Sequence, residues 1–320
     1  MTVIINTIWE GRVTQTVDRQ ISRNIGGQNY EAVDSESNKV CIVLTRDALV
    51  SIAYTGIAVT HENWIDCVIA DCLAHRKLRF AMAQPGTPYL ARPVHTIINE
   101  LSLNLNGKLN SDKKSRLCGL QISIVGLHFS NKPKPLAWEL KRGKKEKNGN
   151  RYFKIIKHRV GKFLREHPSG LSGETLGNSG TTVDEGLKSL AKTKGFTHDD
   201  VERYLKDLIM KRSTETQSVS PECVSVQLDL RKSDGHAQFT FYPTKESPLL
   251  SPWVLTPRMI CAPSLMSSSN LPVSDCGRYS IGGFEDGNTN LNVLTRLPVE
   301  FKQQQSHVIS IKFQNRAEIP

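Results

Sequence analysis

The chain of 320 residues carries 42 basic and 31 acidic side chains, a net charge of +11, and 38% hydrophobic residues. It is long enough to bury a substantial core, and its composition excludes the disordered and collagen-like classes. Seven cysteines at positions 41, 67, 72, 118, 223, 261 and 276, an odd number without a CxxC pair, exclude a disulfide scaffold and point to free thiols. No run is apolar enough over a sufficient length to span a membrane, and the amino end lacks a charged-then-apolar signal layout, so a cytoplasmic location is expected.

The first predicted element is a β-hairpin. Thr2 to Trp9 and Val13 to Val17 are β-branched runs flanking Glu10-Gly11, a turn dipeptide that supplies the positive φ of a tight reversal. With Glu10-Gly11 as the loop, Thr2 falls opposite Arg19 and Asp18 lies one place along. After a loop at Gly26-Gly27-Gln28-Asn29, Val40 to Leu44 and Leu49 to Tyr54 read as two more strands, nearly continuously apolar and suited to a sheet covered on both faces. Trp64, Ile65, Val68, Ile69, Cys72 and Leu73 recur at helical spacing, which predicts a helix over 62–76. Val94, Ile97, Ile98 and Leu101 predict a second helix, with Pro93 in its first turn.

Alternation then returns at 120–125 and 136–141, and Tyr152 to Ile156 reads as a further strand. A second helix pair follows. Thr182 and Glu185 form a capping box ahead of Val183, Leu187, Leu190 and Ala191; Gly195 stops that helix, and Thr197 caps the next, whose apolar face is Val201, Tyr204, Leu205, Leu208 and Ile209. Val224 to Leu230 and Ala237 to Phe241 alternate as strands, and from Thr244 onward Pro- and Ser-rich segments punctuate short apolar runs, with a last alternating stretch at 308–313. Strand runs and helix pairs segregate, which predicts an α+β fold with antiparallel sheets and helices on their outer faces.

Thr2, the Glu-Gly turn and the Val17-Asp18-Arg19 return resemble the amino end of the N-terminal-nucleophile (Ntn) hydrolases, in particular proteasome β subunits and their bacterial proteasome-like relatives. The resemblance implies a four-layer αββα sandwich over residues 1–243, with a basic insertion around 141–151 and a carboxyl-terminal extension at 244–320 that packs partly on the core. It also implies a threonine-type amidohydrolase or peptidase. Once Met1 is removed, the hydroxyl of Thr2 would attack a peptide or other amide carbonyl, with the free α-amine, whose reference pKa is roughly 7.7 to 8.0, as its base. Carried over residue by residue, the family pattern gives Asp18 and Arg19 beside Thr2, Lys39 at the start of the third strand to depress the pKa of the nucleophile, and Gly56 as the oxyanion-binding N–H. Ser179, in Gly177-Asn178-Ser179-Gly180, and the pair Glu215 and Ser218 resemble the groups that prop the amine. One residue is inserted in the first of these segments, and in the second a glutamate stands where the family has aspartate. A homo-oligomer is allowed by the resemblance.

Other chemistry is less well supported. Cys67, Cys72 and His75 share the first predicted helix, but spacings of five and three give no regular ligand pair, so no metal is assigned. Walker, HExxH, GxSxG and dinucleotide patterns are absent from the sequence, and no cofactor is expected. Between positions 132 and 166 thirteen Lys or Arg face three Glu. Arg151 to Arg165 interleaves these charges with Tyr152, Phe153 and Phe163, and as a helix it would suit nucleic-acid phosphates; a solvated loop and an edge strand guarded by lysines rank above that alternative. The remaining alternative is an inactive relative that keeps the fold and retains Met1.

Overall fold

The alternating, β-branched runs build two eight-stranded sheets, accompanied by few helices, in a computed structural model. It describes residues 2–9, 11–26, 29–34, 37, 39–56, 58, 64–78, 83–111, 120–129, 134–142, 152–158, 172–177, 189–190, 192–193, 195–229, 236–242, 249–250, 252–263, 265–266, 279–280, 293–294 and 307–312. In chain order the strands are β1 (Val3–Trp9), β2 (Arg12–Asp18), β3 (Ile21–Gly26), β4 (Asn29–Asp34), β5 (Val40–Leu44), β6 (Ala48–Thr55), β7 (Ala83–Pro85), β8 (Gln121–His128), β9 (Lys134–Arg142), β10 (Phe153–Lys157), β11 (Ser172–Gly177), β12 (Cys223–Asp229), β13 (His236–Tyr242), β14 (Leu249–Leu250), β15 (Trp253–Leu255), β16 (Met259–Cys261), β17 (Leu265–Met266), β18 (Tyr279–Ser280), β19 (Val293–Leu294) and β20 (His307–Lys312). Among the described residues the α-helices with both ends described are α1 (Ile65–Ala74), α2 (Val94–Ser111) and α3 (His198–Glu215). The fold is thus mixed α+β and mostly sheet. Among the described strands every pairing is antiparallel except β15 with β5 and β18 with β20, in keeping with the segregated order of elements.

The chain divides into two compact units, one holding 2–37, 161–250 and 265–320, the other 38–160 and 251–264. The first contains the sheet β11-β1-β2-β12-β13-β20-β18-β19. Helix α3 forms where expected because Thr197 and Asp200 close a reciprocal capping box, and Asp199 and Asp200 sit at the positive end of the helix dipole. Gly195, at φ 76, makes the turn into it. Val201, Leu205 and Ile209 pack on Val3, Ile5 and Trp9 of β1, and the Trp9 ring stacks on Phe196 at 4.3 Å. Alternation explains the match, since residues 3, 5 and 9 share one face of the strand. Alongside this apolar contact runs a buried polar one, in which Gln227 donates to the Glu202 carboxylate and the Thr16 and Ser225 hydroxyls lie 3.0 Å apart.

The second unit contains β10-β9-β8-β6-β5-β15-β16-β7, with α1 and α2 joining Ile52, Ile122, Ile124 and Trp253 in its core. Helix α1 is shorter than the expected 62–76. Trp64 before it is extended without a side-chain cap, and His75 ends it in the left-handed region at φ 55; Glu62 lies outside the described residues. Trp253 lies beside Cys41 across the parallel β15–β5 pair and donates its indole N–H to Asp66 at 3.1 Å. Residues beyond 249 therefore contribute strands to both units, β15 and β16 here and β18 to β20 in the other sheet. Several described strands were not expected from the sequence: the hairpin β3–β4, β7, β11 and the short strands β14 to β19. The hairpin β3–β4 has apolar residues too sparse for a clear period, and β11 contains Gly173 and Gly177, which erase the alternation. The expected helix beginning at Thr182 falls outside the described residues apart from its last positions.

Candidate active site

The hairpin β1–β2 sets the geometry of the amino end. Gly11 takes φ 75 at its turn, and the pairing runs from Trp9 with Arg12 to Ile4 with Val17. Extended by two places past its last pair, this register would set Val3 across from Asp18 and Thr2 across from Arg19. Beyond the last pair, the Val3 amide donates to the Asp18 side chain, to Oδ1 at 2.7 Å, and the Gln20 amide donates to Oδ2 at 3.2 Å. Each carboxylate oxygen of this wholly buried aspartate thus receives a main-chain N–H, which fixes its orientation. Thr2 is 6% exposed and Arg19 2%.

On the other side of β2 the register continues into β12, with Asp18 opposite Cys223. The Arg19 amide donates to the Glu222 carbonyl at 3.1 Å, and its guanidinium lies 3.7 Å from the Glu222 carboxylate, with both side chains buried. Residues 216–222 are stitched to the start of β3: Gln20 Nε2 donates to the Gln217 carbonyl at 2.7 Å, and Ser22 Oγ to the Ser218 carbonyl at 3.3 Å. Ser218 is fully buried, its hydroxyl 2.9 Å from that of Thr216. The Cys223 thiol, buried between Asp18 and α3, is pushed well above its ordinary pKa chiefly by desolvation, which leaves it a poor nucleophile.

Thr2, Asp18, Arg19 and Ser218 therefore belong to one unit, and their segments are joined by hydrogen bonds. Glu215 belongs to the same unit but is the last residue of α3, where its exposed carboxylate pairs with Arg212. Ser179 lies outside the described residues; Gly177, two residues earlier, ends β11 opposite Val3. Lys39 and Gly56 are in the other unit. Lys39 precedes β5 and is 2% exposed, and Gly56 follows β6 at φ 102, a conformation only glycine adopts without strain. The pairing of Val40 with Ala53 puts Lys39 across from Tyr54, so both residues mark the same end of the β5–β6 hairpin.

Glu222 is the participant that sequence reading missed. The available signal was physical rather than local: a buried guanidinium needs a carboxylate, but nothing in the pattern says which distant one supplies it. Among the described residues no group of His, Cys, Asp and Glu could hold a metal ion. Of the three residues considered for one, Cys67 and Cys72 have thiols raised to about 12 and about 11, mainly by burial, and His75 stacks on Tyr89 at 4.0 Å. The described part of the basic segment is β9 and the edge strand β10, where Lys157 of β10 lies 5.4 Å over the Trp138 ring of β9. Among the described residues no helix is long and apolar enough to cross a membrane.

No protein-family profile matches the chain, and no curated protein matches it. Solved structures do. An Anbu mutant from Hyphomicrobium sp. strain MC1 is 10% identical, with 71% of this chain and 80% of that one covered and a TM-score of 0.43. Anbu, described as an ancestral beta-subunit, from Yersinia bercovieri is 10% identical over 70% and 80% at 0.44, and the Anbu complex from Pseudomonas aeruginosa, solved as a helical assembly, is 12% identical over 70% and 79% at 0.40.

Proposed function

We propose that this chain is a proteasome-like Ntn hydrolase in which Thr2, after removal of Met1, is the nucleophile that cleaves a peptide or other small amide. The observation that supports it most is the hairpin register, paired as far as Ile4 with Val17 and prolonged by the Asp18 carboxylate that accepts from the Val3 amide next to Thr2. In the proposed reaction the Thr2 hydroxyl bonds to the substrate carbonyl carbon and its proton passes to the α-amine. By the resemblance, the donor to the resulting oxyanion would be the Gly56 N–H. Collapse breaks the C–N bond, the proton leaves with the amine, and water then hydrolyses the threonyl ester. By the resemblance, Lys39 would be the cation that keeps the amine in its basic form. By the resemblance, Ser179, Ser218 and Glu215 would prop that amine; the Glu215 carboxylate pairs with Arg212.

The same reading proposes that residues 1–243 form an αββα sandwich, that 141–151 is a basic insertion and that 244–320 is an extension. A second reading, an inactive relative with Met1 retained, is favoured by one observation: the hydrogen bonds of Asp18 to Val3 and Gln20 would be needed for strand geometry alone. Intact mass of the purified chain, before and after a peptidyl β-lactone, separates the two. Loss of one methionine followed by addition of one probe, abolished in Thr2→Ala, supports the enzyme; a retained methionine and no adduct rejects it.

A further inference from the structure

Three adjacent strands bring one row of side chains together at the Thr2 end of the sheet. Extended past its last pair, Ile4 with Val17, the β1–β2 register would bring Thr2 opposite Arg19, and next to the β2–β12 pair of Asp18 with Cys223 the Arg19 amide donates to the Glu222 carbonyl. Directly opposed residues share a face, with Cβ atoms about 4.5 to 5.5 Å apart, so in the extended register Thr2, Arg19 and Glu222 form a row on one face. Val3, Asp18 and Cys223 form the next row on the opposite face, where Val3 and Cys223 pack beneath α3. Glu222 is itself held: its amide donates to Ser220 Oγ at 3.0 Å, its carbonyl accepts from Arg19, and the segment before it is tied to Gln20 and Ser22.

We propose that Glu222 is a positioning residue for the reaction: its carboxylate holds the Arg19 guanidinium at the place where it acts on the Thr2 amine and hydroxyl. This rests on the reading of Thr2 as the nucleophile. A buried guanidinium on a flexible stem has many rotamers, and a carboxylate on the neighbouring strand selects one. That rotamer governs the chemical step rather than the initial binding of substrate, because Glu222 is one strand further from Thr2 than Arg19 is.

The test uses the full chain with Met1 removed and a peptidyl β-lactone, comparing wild type with Glu222→Gln, Glu222→Asp, Arg19→Lys and the Arg19→Lys/Glu222→Gln double variant. Glu222→Gln is expected to lower the maximal labelling rate roughly tenfold, as loss of a group that orients another does, while the half-saturating probe concentration stays unchanged. Glu222→Asp, with its charge drawn back by one methylene, falls between the two. The double variant is no slower than Arg19→Lys alone, since residues acting as a unit are non-additive. If Glu222→Gln does not fold, Glu222→Asp decides: an intermediate rate with unchanged half-saturation supports the proposal, and the wild-type rate overturns it. Labelled wild type with an equally fast Glu222→Gln, or single losses that multiply in the double variant, overturns the role of Glu222 while leaving Thr2 as nucleophile. Wild type that takes no label overturns the nucleophile reading and this proposal with it.

Discussion

Replacing Asp18 tests how the amino end is held. Its two carboxylate oxygens accept from the main-chain amides of Val3 at 2.7 Å and Gln20 at 3.2 Å in a fully buried setting. Asp18→Ala removes both acceptors. A buried donor left without a partner costs about 1 to 3 kcal/mol, so two such donors predict a loss of roughly 2 to 6 kcal/mol. Asp18→Asn keeps one oxygen and turns an NH₂ toward the other amide, so it should lose about half as much. Urea unfolding at neutral pH, followed by circular dichroism, measures both; the midpoint should drop in the order wild type, Asn, Ala while the slope stays constant. Asp18→Ala with a midpoint equal to wild type would refute the claim that this carboxylate clamps the two strand ends.

Further outcomes follow from other sites. Burial raises the Asp66 carboxyl above its ordinary value, against the lowering effect of its hydrogen bonds, including that from Trp253. The native state therefore holds this proton more tightly than the unfolded chain does, and stability should fall as pH rises from the ordinary carboxylate pKa through the higher folded one. Asp66→Asn should remove that part of the decline in pH-dependent thermal melts, whereas identical pH slopes for the two proteins would contradict it. With thiols raised to about 12, about 11 and about 11, Cys67, Cys72 and Cys261 should resist alkylation at pH 8 in the native protein and react on denaturation, as read by peptide mass spectrometry. A side chain on Gly126 would meet the Leu49 carbonyl oxygen at 2.3 Å across the β6–β8 pair, so Gly126→Ala should cost about 1 to 3 kcal/mol through overpacking; an unchanged urea midpoint would contradict this.

What could be read from the sequence follows from how far apart the interacting groups lie in the chain. The β1–β2 register needed only two alternating runs and a Gly turn, and the start of α3 needed only Thr197, Asp200 and the apolar stripe behind them, all local signals. The hairpin β3–β4 and strand β11 were not legible because sparse apolar residues or glycines break their periodicity. Partners distant in sequence were hidden as well. Nothing near Arg19 names Glu222, and nothing near Asp66 names Trp253, because buried polar pairing is decided between elements that meet only after folding. Lys39 and Gly56 could be placed at strand ends from the pattern, while the reversed φ of Gly56 emerges only from the backbone.

The most direct measurement is mass-spectrometric mapping of where a peptidyl β-lactone attaches to the full-length protein. The account predicts a single adduct on an amino-terminal peptide that begins at Thr2, and none on the Thr2→Ala protein. An amino-terminal peptide that still begins with Met1 and carries no adduct would contradict it.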